Sequence, residues 1–104
     1  MSSIKKSSVK FVDDHRNILA NYDYTKNISN ARITKYEKSE IMGQRITQLA
    51  NRAVPLVELD PKKKYTIREI VEMEYKQGYI PFIIEREVGD NHIEYWKFRD
   101  LIRD

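Results

Sequence analysis

Thr34-Lys35-Tyr36-Glu37-Lys38-Ser39-Glu40-Ile41-Met42-Gly43-Gln44-Arg45-Ile46-Thr47-Gln48-Leu49-Ala50 is the stretch on which the reading of this chain turns. A threonine followed three residues later by a glutamate is a capping box: the Thr34 hydroxyl accepts from the Glu37 N–H, and the Glu37 carboxylate reaches back to the Thr34 N–H. The helix therefore starts at Lys35. Met42, Ile46, Leu49 and Ala53 recur at three-and-four spacing, flanked by Ala50, and predict the face buried against the core. Gly43 interrupts this helix at a cost of roughly 1 kcal/mol relative to alanine. With Tyr36 and Ala50 it falls at seven-residue spacing, nearly on one line, and a line of small side chains lets another backbone come close. That backbone belongs either to a neighbouring element of the same fold or to a partner. A second line, Ile41, Arg45, Gln48 and Arg52, sets guanidinium groups and an amide beside an apolar residue, a mixture suited to a partner's carboxylates and carbonyls.

Downstream, Pro55 stops helical propagation, and Leu56-Val57-Glu58-Leu59 reads as a short strand. Asp60-Pro61 opens a turn, and Lys62-Lys63-Lys64 extends a solvated loop. A second capping box at Thr66 and Glu69 starts another helix, with Ile67, Ile70, Val71 and Tyr75 as its buried face and Gly78 as its terminator. Residues 79–88 are rich in aromatic and β-branched types, Gly89-Asp90-Asn91 supplies turn chemistry, and residues 92–97 return as the second arm of a hairpin. Pro81 lacks an N–H, so the first arm begins at an edge or unpaired there. Phe98, Leu101 and Ile102 suggest a closing helical turn. Upstream, residues 1–33 are polar, serine-rich at the start and without a sustained apolar period. They read as a flexible basic arm, with Phe11-Val12 and Ile18-Leu19 as docking points. The expected architecture is α+β: two main helices, a short strand and a C-terminal β-hairpin over residues 34–104, preceded by the arm over 1–33.

The chain has 104 residues, room for a single small domain. No stretch approaches the roughly 20 apolar residues that span a bilayer, and no apolar run follows the first residues as in a signal peptide. A soluble, intracellular protein without membrane contact is expected. The absence of cysteine removes disulfides, thiolate nucleophiles and thiolate metal sites together. Residues 1–33 hold six basic and three acidic side chains, whereas residues 34–104 hold thirteen of each, so the net charge of +3 belongs to the arm. His15 and His92 stand too far apart in the pattern to make a metal set. Asp13-Asp14 are adjacent in the arm and cannot hold the separation that acid–base catalysis needs. With only Gly43, Gly78 and Gly89, no phosphate-cradling loop exists. No catalytic residue, cofactor, metal or small-molecule substrate is expected. An alternative is a small nucleic-acid-binding module, in which Tyr36, Tyr79, Tyr95 and Trp96 beside Arg86, Lys97 and Arg99 form a stacking platform.

The residues carry a further signal. Thr34-Lys35-Tyr36-Glu37-Lys38, then Ile41, Gly43-x-Arg45 and Gln48, resemble the opening helix of the small common subunit of eukaryotic and archaeal DNA-directed RNA polymerases, the relative of bacterial omega. Ile80-Pro81-x-Ile83-Ile84-x-Arg86, then Asp90, Glu94-x-Trp96 and Leu101, resemble that family's hairpin and closing turn, and Val57-Glu58-Leu59 its short strand. The resemblance covers residues 34 to 102. It implies an omega-like fold and a non-catalytic subunit that clamps the largest polymerase subunit, promotes its folding and assembly, and meets DNA only through the complex. Carried over residue by residue, it implies partner binding by Thr34, Lys35, Tyr36, Glu37, Ile41, Gly43, Arg45 and Gln48, and structural support of the hairpin by Pro81, Arg86 and Trp96. It places the protein in the nucleus or cytoplasm, or in a virion if the polymerase is viral. Three departures stand out. Glu40 and Glu85 occupy positions where the family carries arginine, for which matching changes in the partner are expected. The loop from Asp60 to Thr66 is two residues longer between strand and second helix, and the N-terminal arm is basic where eukaryotic members have an acidic tail. Such divergence fits a polymerase encoded by a large DNA virus.

Overall fold

Thr34 begins the first helix as its spacing predicts. Its Oγ1 accepts from the Glu37 N–H at 3.1 Å while Glu37 Oε1 accepts from the Thr34 N–H at 3.0 Å, closing the capping box. The structure, a computed structural model, describes residues 4–11, 22–89 and 92–103. Its elements in chain order are β1 (Ile4–Phe11), α1 (Lys35–Ala50), α2 (Ile67–Gln77), β2 (Phe82–Val88) and β3 (His92–Lys97), with single 3-10 turns at Tyr24–Lys26 and Phe98–Asp100. Thr66 Oγ1 caps α2 by accepting from the Glu69 N–H at 3.1 Å. Gly78 ends it with φ 75°, a left-handed conformation that glycine adopts at no steric cost, and the Tyr79 N–H returns to the Glu74 carbonyl at 3.0 Å.

The sheet is antiparallel with order β1-β2-β3. β2 and β3 form the expected hairpin, in register from Ile83 opposite Lys97 to Val88 opposite His92. Pro81 lies just before β2; the Phe82 N–H turns back to the Ile80 carbonyl at 2.9 Å, so the ladder begins one residue after the proline. Phe82, Ile84 and Trp96 join Ile41, Leu49, Val71, Tyr75, Phe98 and Leu101 in the main apolar cluster. A parallel bridge between Arg32 and Ile102 ties the approach to α1 to the end of the chain.

Three expectations differ from what is observed. The span read as an arm contains a strand: β1 completes the sheet along the open edge of β2, with Val9 opposite Ile84 and a register shift between Ile4 and Lys6. Val12, Ile18 and Leu19, named as docking points, lie outside the described residues, as do Asp13, Asp14 and His15. Leu56–Leu59 is not a strand. It has no ladder partner among the described residues, and the Leu56 N–H instead donates to Glu74 Oε2 at 2.9 Å. Finally, the most buried line of α1 is Glu37, Ile41, Arg45 and Leu49; Met42, Ile46 and Ala53 pack at its margin and Ala50 is exposed. The helix is rotated from the reading based on apolar residues alone because two of its charged side chains point inward.

Candidate protein-docking face

The inward-pointing charges are held in two buried clusters. Arg86 of β2, fully buried, forks onto Glu37 with Nε at 2.9 Å and Nη2 at 2.8 Å from its two oxygens. Its remaining hydrogens go to Ser29 Oγ at 3.1 Å and to the carbonyls of Asn30 at 2.6 Å and Arg32 at 3.2 Å. Ser29 Oγ also accepts from Trp96 Nε1 at 3.1 Å and donates to Glu94 Oε2 at 2.6 Å. One hydroxyl thus joins β2, β3 and the segment before α1. Glu94 further accepts from the backbone N–H groups of Ile28 and Ser29. A buried charge is tolerated only when paired and hydrogen-bonded, and every member here has partners. Burial pushes the Glu37 carboxyl up, but hydrogen bonds from Arg86 and the Thr34 N–H together with the guanidinium charge outweigh it, and Glu37 stays below the ordinary carboxylate range. Glu94 is likewise lowered against its burial, by the Ile28 and Ser29 donors.

The second cluster joins the two helices. Arg45 Nε and Nη2 meet Glu74 Oε1 and Oε2 at 2.6 and 3.0 Å, Nη1 donates to Gln48 Oε1 at 3.0 Å, and Nη2 also reaches the Val54 carbonyl at 3.1 Å. Of the residues named for partner binding, Glu37, Ile41 and Arg45 are therefore turned into the fold, and Arg45 meets carboxylate and carbonyl oxygens of its own chain. Gln48 is half-buried as an acceptor for Arg45, and Thr34 is half-buried as the cap. Lys35, Tyr36 and Gly43 lie outward.

The outward residues fall on one face. Tyr36, Gly43 and Ala50, the line drawn from seven-residue spacing, are all exposed, with Ser39 and Thr47 between them and Tyr36 at 65 % exposure. A Cβ built on Gly43 meets nothing within 4 Å, so no described element of this chain uses the space that the glycine leaves. Backbone at Gly43 is open to approach. An aromatic ring with a hydroxyl at one end and a floor of small side chains along two turns suit the packing of another protein segment.

Sequence reasoning passed over Ser29, Glu74 and the role of Glu94. Glu74 had a readable signal: it lies between Val71 and Tyr75 on the buried stripe of α2, where an unpaired carboxylate cannot stay. Glu85, one of the two altered charges, is held inside the sheet, accepting from Tyr95 OH at 2.9 Å and Ser8 Oγ at 3.4 Å. The stacking platform loses two members, since Trp96 and Arg86 are both buried. Among the described residues no group of three or more His, Cys, Asp or Glu is placed to hold a metal ion, and no helix is long and apolar enough to cross a membrane.

Comparison with known proteins gives one consistent result. The chain is 37 % identical over 70 residues to the DNA-directed RNA polymerases II and V subunit 6B of Arabidopsis thaliana, covering 67 % of this chain and 47 % of that protein. To the DNA-directed RNA polymerase subunit Rpo6 of Pyrobaculum aerophilum it is 35 % identical over 71 residues, 68 % of this chain and 67 % of the relative. To the Rpo6 subunit of Sulfolobus acidocaldarius it is 31 % identical over 70 residues, 67 % and 79 % respectively. The match thus spans about half of the plant relative and two thirds or more of the archaeal ones. No family model matches the chain.

Proposed function

Because the chain belongs to the family of the small common subunit of eukaryotic and archaeal DNA-directed RNA polymerases, we propose that it is a non-catalytic subunit of such a polymerase, clamping the largest subunit and promoting its assembly. In this reading residues 34–104 carry the polymerase contacts, and the segment before them contributes β1 to the sheet. The protein works inside the cell, in the compartment where its polymerase transcribes.

The observation that carries this reading is the exposed line Tyr36, Gly43 and Ala50. A mid-helix glycine costs roughly 1 kcal/mol, and no described residue fills the space it leaves. The cost is explained if the largest subunit lays its backbone against the helix at Gly43, with Tyr36 as an aromatic anchor at the rim and Lys35 beside it. The buried clusters then serve the same end indirectly, by fixing the direction in which this face points. Arg45 and Glu37 act as supports of the docking helix in this scheme.

Affinity purification of the tagged chain from its native source tests the proposal. The largest polymerase subunit is expected to co-purify, and Gly43→Leu is expected to abolish that recovery while circular dichroism still reports the helix. Recovery of the wild-type chain without any polymerase subunit would overturn the reading. Equal recovery of the glycine variant would move the interface elsewhere.

A further inference from the structure

A groove of about 370 Å³ runs between α1 and α2, away from the Gly43 line. Lys38 and Met42 of α1, Arg68, Tyr75 and Lys76 of α2, and Arg103 line it. Among the described residues Glu72 is the one carboxylate in the lining, against four basic side chains, and its contact with Arg68 is loose, at 3.6 Å. This imbalance is local, since residues 34–104 as a whole carry equal numbers of basic and acidic side chains. Cations gathered at one place in a neutral domain repel one another and create a field that draws a negative ligand.

Two of the four cations are held in position. The Arg103 guanidinium donates to the carbonyls of Phe98, Leu101 and Arg99 at 3.0, 3.1 and 3.2 Å and lies 5.0 Å from the Phe98 ring. Gly78 makes room for it, because a Cβ there would stand 2.7 Å from Arg103 Nη2. Lys38 Nζ lies 5.2 Å from the centre of the Tyr75 ring. Tyr75 is only 5 % exposed, so it offers no free ring face on which a base stacks. What remains is an apolar strip beside Met42, whose thioether adapts to different shapes, under a positive rim.

From this juxtaposition we propose that the α1–α2 groove binds an acidic peptide segment of a protein partner, with one apolar side chain of the segment seated beside Met42 and its carboxylates meeting Lys38, Arg68, Lys76 and Arg103. Charge complementarity carries the choice of occupant, and the closed Tyr75 ring separates it from a single-stranded nucleic acid. The site goes beyond the assembly role and does not rest on it, because it lies on a different side of α1 from Tyr36, Gly43 and Ala50.

The test uses the full chain and a fluorescein-labelled peptide with a central Leu-Phe pair flanked by runs of glutamate, followed by anisotropy as salt is raised. Saturable binding that weakens with salt is expected, and the glutamine-flanked version of the peptide should not bind. Arg68→Glu with Lys76→Glu should weaken binding by about tenfold or more, whereas Lys62→Glu with Lys63→Glu, the same charge change in the exposed loop before α2 and outside the groove lining, should leave it within about twofold. Circular dichroism confirms that each variant is folded. No saturable binding, or an equal loss in both double variants, overturns the proposal. Tighter binding of an oligothymidylate than of the peptide, lost in the Arg68/Lys76 variant, overturns it in favour of nucleic acid.

Discussion

The two sides of α1 put their side chains to opposite uses. Inward, Glu37, Ile41, Arg45 and Leu49 are buried, and both charged groups are bound by partners from other elements. Outward, Tyr36, Gly43 and Ala50 are exposed, and no atom of the described residues meets a Cβ built on Gly43 within 4 Å. With the outward side docking as proposed, one helix answers two demands, folding and association, with residues that hardly overlap. The separation has a practical consequence: substitutions on one side should change stability, and substitutions on the other should change association.

The comparison breaks most visibly at Glu37. Glu37→Gln leaves Arg86 buried without its counter-charge, and such a loss costs about 3–5 kcal/mol, a large share of the stability of any small domain. Urea unfolding of the variant should show this loss; a change below about 1 kcal/mol would mean that the inward side is far less demanding than its geometry. Acid should probe the same side more gradually. Glu37 and Glu94 are held below their unfolded values, about 4.3 for a free glutamate. They therefore add stability that is present above that value and is lost as pH falls through their lower folded values. Thermal melts from pH 7 downward should fall most steeply below about pH 4, and a melting temperature flat through that range would remove the carboxylates from the account. On the outward side the sign reverses. Gly43→Ala should raise stability by up to about 1 kcal/mol while lowering recovery with the polymerase, a combination that a purely structural glycine cannot produce. Lys63→Ala, in an exposed loop away from both sides, should change neither stability nor recovery by more than about 0.5 kcal/mol.

What was legible in the sequence had local causes. The Thr34 cap, the Gly78 terminus and the hairpin around Gly89 each depend on residues within a few positions of one another, and each stands where its spacing puts it. The line Tyr36, Gly43, Ala50 was legible for the same reason, since helical period alone places it. What was not legible depends on residues distant in the chain. In β1, Ile4-Lys5-Lys6-Ser7-Ser8-Val9-Lys10-Phe11 carries a weak strand signal of its own, and it becomes a strand by pairing with β2. The rotation of α1 escaped for a related reason: apolar periodicity treats Glu37 and Arg45 as outward-facing, and their burial makes sense only once Arg86 and Glu74 are opposite them. Glu85 belongs with these cases. Its differing charge read only as a matching change in the partner, and its hydrogen bonds from Tyr95 and Ser8 could not be seen before β1, β2 and β3 were in register.

The long-range pairing of β1 also predicts an order in which the molecule comes together. Ser8 and Glu85, which face each other across the sheet, are 77 residues apart in the chain. Closing so long a loop is entropically costly, whereas α1, α2 and the β2–β3 hairpin form from neighbours. During synthesis β1 leaves the ribosome long before the strand it pairs with exists, and it waits as an unpaired segment until β2 follows. The pairing of β1 with β2 is thus expected last, after the local elements have formed. Pulsed hydrogen exchange during refolding should find β1 amides protected after those of β2 and β3, so that the first strand in the chain is the one that finishes the sheet.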